Sequence, residues 1–150
     1  MRCILIILLL PVIVFAAPKP ESVTKGNLSA TDWQYIARKV ATGEDKWLAV
    51  VPTLALKVNR QQANQLKDAL STALPINTKG VLTVLHELDS KTWPERRGTD
   101  IVCVLKVMKV GKKADSYYID TRLALLDEPT GAEYLWNLEG VWEEAKRGSK

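Results

Sequence analysis

The sequence predicts an all-α protein of six or seven short helices in antiparallel hairpins, and three observations carry that prediction. Apolar residues recur at steps of three and four over most of the chain. Helix-start signals stand at Ser29, Asn59 and Thr130. No second convincing strand exists to pair with the one β-branched run, at 101–110. Composition agrees. A chain of 150 residues that is 47% hydrophobic and 25% charged has the profile of a globular protein with length for one core.

The N-terminal residues stand apart. Arg2 precedes an apolar run over 4–15, and Val14-Phe15-Ala16 offers small residues where a signal peptidase reads them. The run contains Pro11 and is shorter than the roughly 20 residues that a membrane span needs. Residues 1–16 are therefore expected to be a signal peptide, with cleavage near Ala16 or Ala17 and a mature chain that is periplasmic or secreted. Residues 17–28 hold Pro18, Pro20 and Gly26 without periodicity and read as a flexible leader. Residues 29–147 form the expected single helical domain.

Each element follows from its residues. Ser29 caps a helix, with Asp32 in its first turn and Leu28 and Trp33 placed as a hydrophobic staple; Trp33, Ile36, Ala37 and Val40 make the stripe and Gly43 stops it. The next helix begins near Glu44 and Asp45, buries Trp47, Leu48 and Val51, and kinks or restarts at Pro52. Asn59 with Gln62 caps a third, carrying Ala63, Leu66, Leu70, Ala73 and Leu74 and ended by Pro75. Asn77 or Thr78 caps a fourth, with Val81, Leu82, Leu85 and Leu88 inward. Residues 89–98 are an irregular connection. In 101–110, Ile101, Val104, Leu105 and Met108 fit a helical stripe, yet the same stretch also suits a strand. Tyr118, Leu123, Leu125 and Leu126 mark another helix, and Thr130 with Glu133 caps the last, with Leu135, Leu138, Trp142 and Ala145 on one side. Trp33, Trp47, Trp136 and Trp142 fall on helical stripes and are assigned to the core.

Several chemistries find little footing. With 21 basic and 17 acidic residues, the charge of +4 is mild for binding nucleic acid. A thiol–imidazole pair has only Cys103 and His86 to draw on. Cys103 lies among apolar neighbours and reads as a small buried hydrophobe, while His86 near a helix end reads as an exposed cation favoured by the helix dipole. No phosphate-cradling glycine loop and no nucleophile elbow occurs. Glu87, Asp89 and Glu95 are the acids placed to serve a glycosidase, which needs two carboxylates across a cleft. No catalytic residue, cofactor or metal ligand is assigned. Protein binding has the better case: Trp93, Glu95, Arg96 and Arg97 set an aromatic anchor beside two guanidiniums on a loop, the side-chain types enriched at interface hot spots.

Ile36-Ala37, Gly43, Trp47-Leu48, Leu54, Leu66, Ala73-Leu74, Asn77 and Val81-Leu82, with Cys103 after the fourth helix, resemble a pattern in small exported proteobacterial proteins of undescribed function. The architecture is similar to that of helical periplasmic immunity proteins that neutralise toxins of type VI secretion. The resemblance implies a non-enzymatic protein whose partner is another exported protein, a toxin or hydrolase directed at the cell wall. A small helical cell-wall glycoside hydrolase, or an envelope assembly factor, is the alternative.

Overall fold

The computed structural model describes residues 17–90 and 111–148. The expected signal peptide, the connection from residue 91 and the helix-or-strand stretch 101–110 lie outside these residues. The described residues are all-α, with eight helical segments and no strand among them. They are α1 (Pro20–Val23), α2 (Ala30–Ala41), α3 (Asp45–Leu48), α4 (Val51–Ala55), α5 (Arg60–Ala73), α6 (Thr78–Ser90), α7 (Lys112–Leu126) and α8 (Ala132–Gly148). No described helix is long and apolar enough to cross a membrane.

Local chemistry explains where the helices begin. The Ser29 hydroxyl accepts from the Asp32 N–H at 3.1 Å, and the Asp32 carboxylate takes the Ser29 N–H at 2.9 Å, a reciprocal pair that satisfies two end groups of α2. These hydrogen bonds, the side-chain one foremost, hold the Asp32 carboxyl below its ordinary range. Asn59 and Gln62 make the same exchange at the start of α5, at 2.9 and 3.0 Å. Pro52 sits in the first turn of α4, where its missing N–H costs nothing, so the proline restarts the helix after α3.

Asn77 joins three elements. Its amide nitrogen donates to the Gly43 carbonyl at 2.8 Å and to the Asp45 carboxylate at 2.7 Å, and its oxygen caps α6 by accepting from the Gly80 N–H at 3.0 Å. Gly43 closes α2 at φ +74°, a conformation that suits glycine.

Two expectations need correction. The leader is not wholly without structure: Pro20–Val23 forms a turn of helix, Val23 is 2% exposed in the core, and the Lys57 ammonium donates to the Thr24 carbonyl at 2.9 Å. One β-branched side chain finds room on the core, which a lack of periodicity did not reveal. The hairpin rule also holds only in part. The most extensive packing of α2 is against α5, which lies two short helices further on, because α3 and α4 are too short to cover its stripe. The pair α7 and α8 does form an antiparallel hairpin. Tyr118 stacks on Trp142 at 4.6 Å and Arg122 reaches Glu139 at 2.7 Å, so contacts move forward along α7 as they move back along α8.

One core runs through the molecule. Ile36 and Val40 of α2, Leu66 and Leu70 of α5, Leu82 and Leu85 of α6, Leu125 of α7 and Tyr134 and Leu138 of α8 belong to the same buried cluster. Each large aliphatic side chain so buried contributes about 1.5–3 kcal/mol.

Candidate functional site

Trp93, Glu95, Arg96 and Arg97, which the sequence puts forward as binding residues, lie outside the described residues, as does Cys103. Of the candidate acids, Asp89 accepts the phenol of the buried Tyr134 at 3.0 Å. Burial first, and the Asp89 hydrogen bond after it, push the Tyr134 hydroxyl well above the usual phenol range, so it stays protonated and works as a donor. His86 is exposed and meets the Tyr134 ring edge-on at 5.3 Å. The Tyr134–Asp89 bond ties α8 to α6. Among the described residues, no group of three or more His, Cys, Asp or Glu side chains is arranged to hold a metal ion.

A different surface emerges on the C-terminal hairpin. The side of α7 turned to the core carries Ala114, Tyr117, Thr121 and Leu125, spaced by three, four and four. Ile119, Leu123 and Leu126 then fall on another side, spaced by four and three, and are 52%, 56% and 51% exposed. On α8, Tyr134, Leu138 and Trp142 face inward. Trp136 lies two residues from both Tyr134 and Leu138, about 200° around a helix that turns about 100° per residue. It points outward and is 81% exposed, which corrects its assignment to the core.

The hairpin's lateral contacts fix these directions. Arg122 Nε donates to Glu139 Oε1 at 2.7 Å, with both side chains 40% exposed, so the pair bridges the two helices along the rim of the outer face. The Tyr118–Trp142 stack and the Lys146 ammonium, 4.8 Å from the Trp142 ring centre, hold the far end of α8 against α7. At the near end the chain turns through Gly131, where a Cβ would lie 2.5 Å from the Leu125 carbonyl oxygen. The Leu135 N–H donates to the Gly131 carbonyl at 2.8 Å, so α8 is capped at Gly131 and not, as the sequence suggested, at Thr130.

The result is an outward face on two rigid helices bearing Ile119, Leu123, Leu126 and Trp136 around a charged pair. Single exposed apolar residues such as Leu56 and Ile76 are ordinary on a protein surface, whereas several on one face mark a place where another surface sits. The sequence held one usable signal for it: Trp136 is out of phase with Tyr134, Leu138 and Trp142. The outward leucines of α7 were hidden because the inward side of that helix is built from alanine, tyrosine and threonine as well as one leucine. No family model, no curated protein and no solved structure matches this chain, so the chemistry of this face is read from its own residues.

Proposed function

We propose that this is an exported, non-enzymatic binding protein that blocks another exported protein, and that it engages this partner through the outer face of the α7–α8 hairpin. The observation that supports the reading is Trp136, 81% exposed on a stiff helix and accompanied by Leu123 and its neighbours on α7. Tryptophan is among the residues that dominate interface energetics, because one rigid side chain buries a large area at small entropic cost. The compartment comes from the layout of residues 2–16, and a toxin or hydrolase of the cell wall is the partner that the sequence resemblance suggests. In this role the helical body is a scaffold, and the Arg122–Glu139 bridge keeps the two helices in register.

The experiment is capture of partners from envelope extract by the immobilised protein and by a Trp136→Ala, Leu123→Ser variant. The expected result is a specific partner retained by the native protein and lost from the variant, with the thermal midpoint of the variant preserved. Equal capture by both would remove this face from the interface.

A further inference from the structure

We infer that the α7–α8 face is built for a cationic protein surface: an apolar hollow on the partner, rimmed by Lys or Arg, that receives Trp136. The inference rests on the reading that this face binds protein, and it names the partner's chemistry.

Charge carries the argument. The chain as a whole is +4, yet between Gly111 and Gly148 eight acidic residues stand against five basic ones. They are also sorted along the hairpin. Lys112 and Lys113 begin α7 while Lys146 and Arg147 end α8, so these four bases share the open end. Asp127, Glu128 and Glu133 gather at the closed end, with Asp120 further along α7. Leu123, Leu126 and Trp136 lie toward that closed, acidic end: Glu133 is one turn before Trp136, and Asp127 directly follows Leu126 as the C-cap of α7. Arg122 is the one basic residue between Ala114 and Ala145, and its guanidinium is occupied by Glu139. The apolar face is thus bordered by carboxylates with no competing cation beside them.

That border selects among occupants. An anionic lipid surface or a nucleic acid meets repulsion from Asp120, Asp127 and Glu133. A second copy of this chain, docked face to face on Trp136, sets Asp127 and Glu133 against their own counterparts, which costs affinity when the charges are desolvated together. A partner with basic groups around an apolar socket gains on both counts. The rim carboxylates fall within about 10 Å of charges across such an interface, the range over which salt at about 0.1 M leaves attraction intact.

The test uses the purified protein and two synthetic amphipathic helices with the same leucine face, one with lysines on the polar face and one with glutamates. The lysine helix is expected to bind about tenfold or more tightly than the glutamate helix at low salt, with the difference closing as salt rises. Trp136→Ala is expected to weaken the lysine helix by a similar factor. Asp127→Asn with Glu133→Gln should abolish the preference while leaving the leucine-driven part. Equal binding of both helices, still dependent on Trp136, overturns the cationic partner and keeps the face as a binding site. A lysine preference untouched by neutralising Asp127 and Glu133 also overturns it. Binding indifferent to Trp136→Ala overturns the face itself and this inference with it. Trp136-dependent binding to vesicles of anionic lipid, stronger than to the lysine helix, counts against a protein partner.

Discussion

Helices α2 to α6 and the α7–α8 hairpin use similar residues in opposite ways. In α5, both leucines, Leu66 and Leu70, are buried, and in α6 Leu82, Leu85 and Leu88 all face the core. In α7, of three leucines only Leu125 is buried, while Leu123 and Leu126 are more than half exposed and the inward side is completed by Ala114, Tyr117 and Thr121. One region behaves as a structural body whose apolar residues are consumed in its own packing. The other keeps apolar surface outside and admits polar atoms inside. Burying a hydroxyl while exposing two leucines lowers the stability of a monomer. Such a pattern makes sense where the outward surface has a use, and this contrast separates scaffold from site more clearly than any one residue.

The largest effect should come from the scaffold. Leu70 is 1% exposed between α2 and the rest of the core, so Leu70→Ala is expected to lower unfolding free energy by about 2–5 kcal/mol, measured by urea titration. Leu123→Ala at 56% exposure should change it by less than about 0.5 kcal/mol. Equal losses at the two positions would erase the distinction between the regions.

Next in size is the turn that holds the hairpin closed. An added methyl at Gly131 meets the Leu125 carbonyl at 2.5 Å, a backbone atom that cannot move without shifting the end of α7. Gly131→Ala should cost about 1–3 kcal/mol, as overpacking does. Amide exchange should rise in α7 and α8 more than in α5 if the strain is local to the hairpin.

How much of this was legible follows from the same contrast. The caps at Ser29 and Asn59, the stop at Gly43 and the restart at Pro52 were readable because each is decided within a few residues by a hydrogen bond or a ring constraint. The link from Asn77 to Gly43 and Asp45, across more than thirty residues, was not, since only the cap to Gly80 is local. Pairing α2 with α5 instead of a nearer neighbour depends on how little surface α3 and α4 can cover. The outward face was missed for a physical reason as well: hydrophobicity marks a leucine as suited to burial, but the phase of the whole helix decides which leucines are buried. Trp136 was misassigned by weighing its type above its phase.

A smaller and opposite effect is expected inside α7. Thr121 is 0% exposed, and its hydroxyl has no hydrogen-bond partner among the described residues. An unmet buried hydroxyl costs about 1–3 kcal/mol, so an apolar residue of the same shape should relieve it. Thr121→Val is expected to raise the thermal midpoint, with gain on the order of 1 kcal/mol. A lowered midpoint would mean that the hydroxyl is being used, and would weaken the view of the hairpin interior as a place where packing has been traded for surface.

The smallest expected change in stability is also the most informative. Trp136 is 81% exposed, so truncation removes little buried area, and Trp136→Ala should alter the unfolding free energy by less than about 0.5 kcal/mol. Trp142, six residues on and 4% exposed beneath the Tyr118 stack, offers the internal control: Trp142→Ala should cost about 3–5 kcal/mol. Two tryptophans on one helix thus bracket the range from surface to core. Their fluorescence should separate them in the same way, since a quencher dissolved in water reaches an outward indole and not a stacked, buried one. Loss of the readily quenched component in the Trp136 variant, with the midpoint unchanged, is the outcome that fits an anchor held ready for a partner. A large loss of stability at Trp136 would instead make it a packing residue, and the hairpin would then have to be grouped with the scaffold.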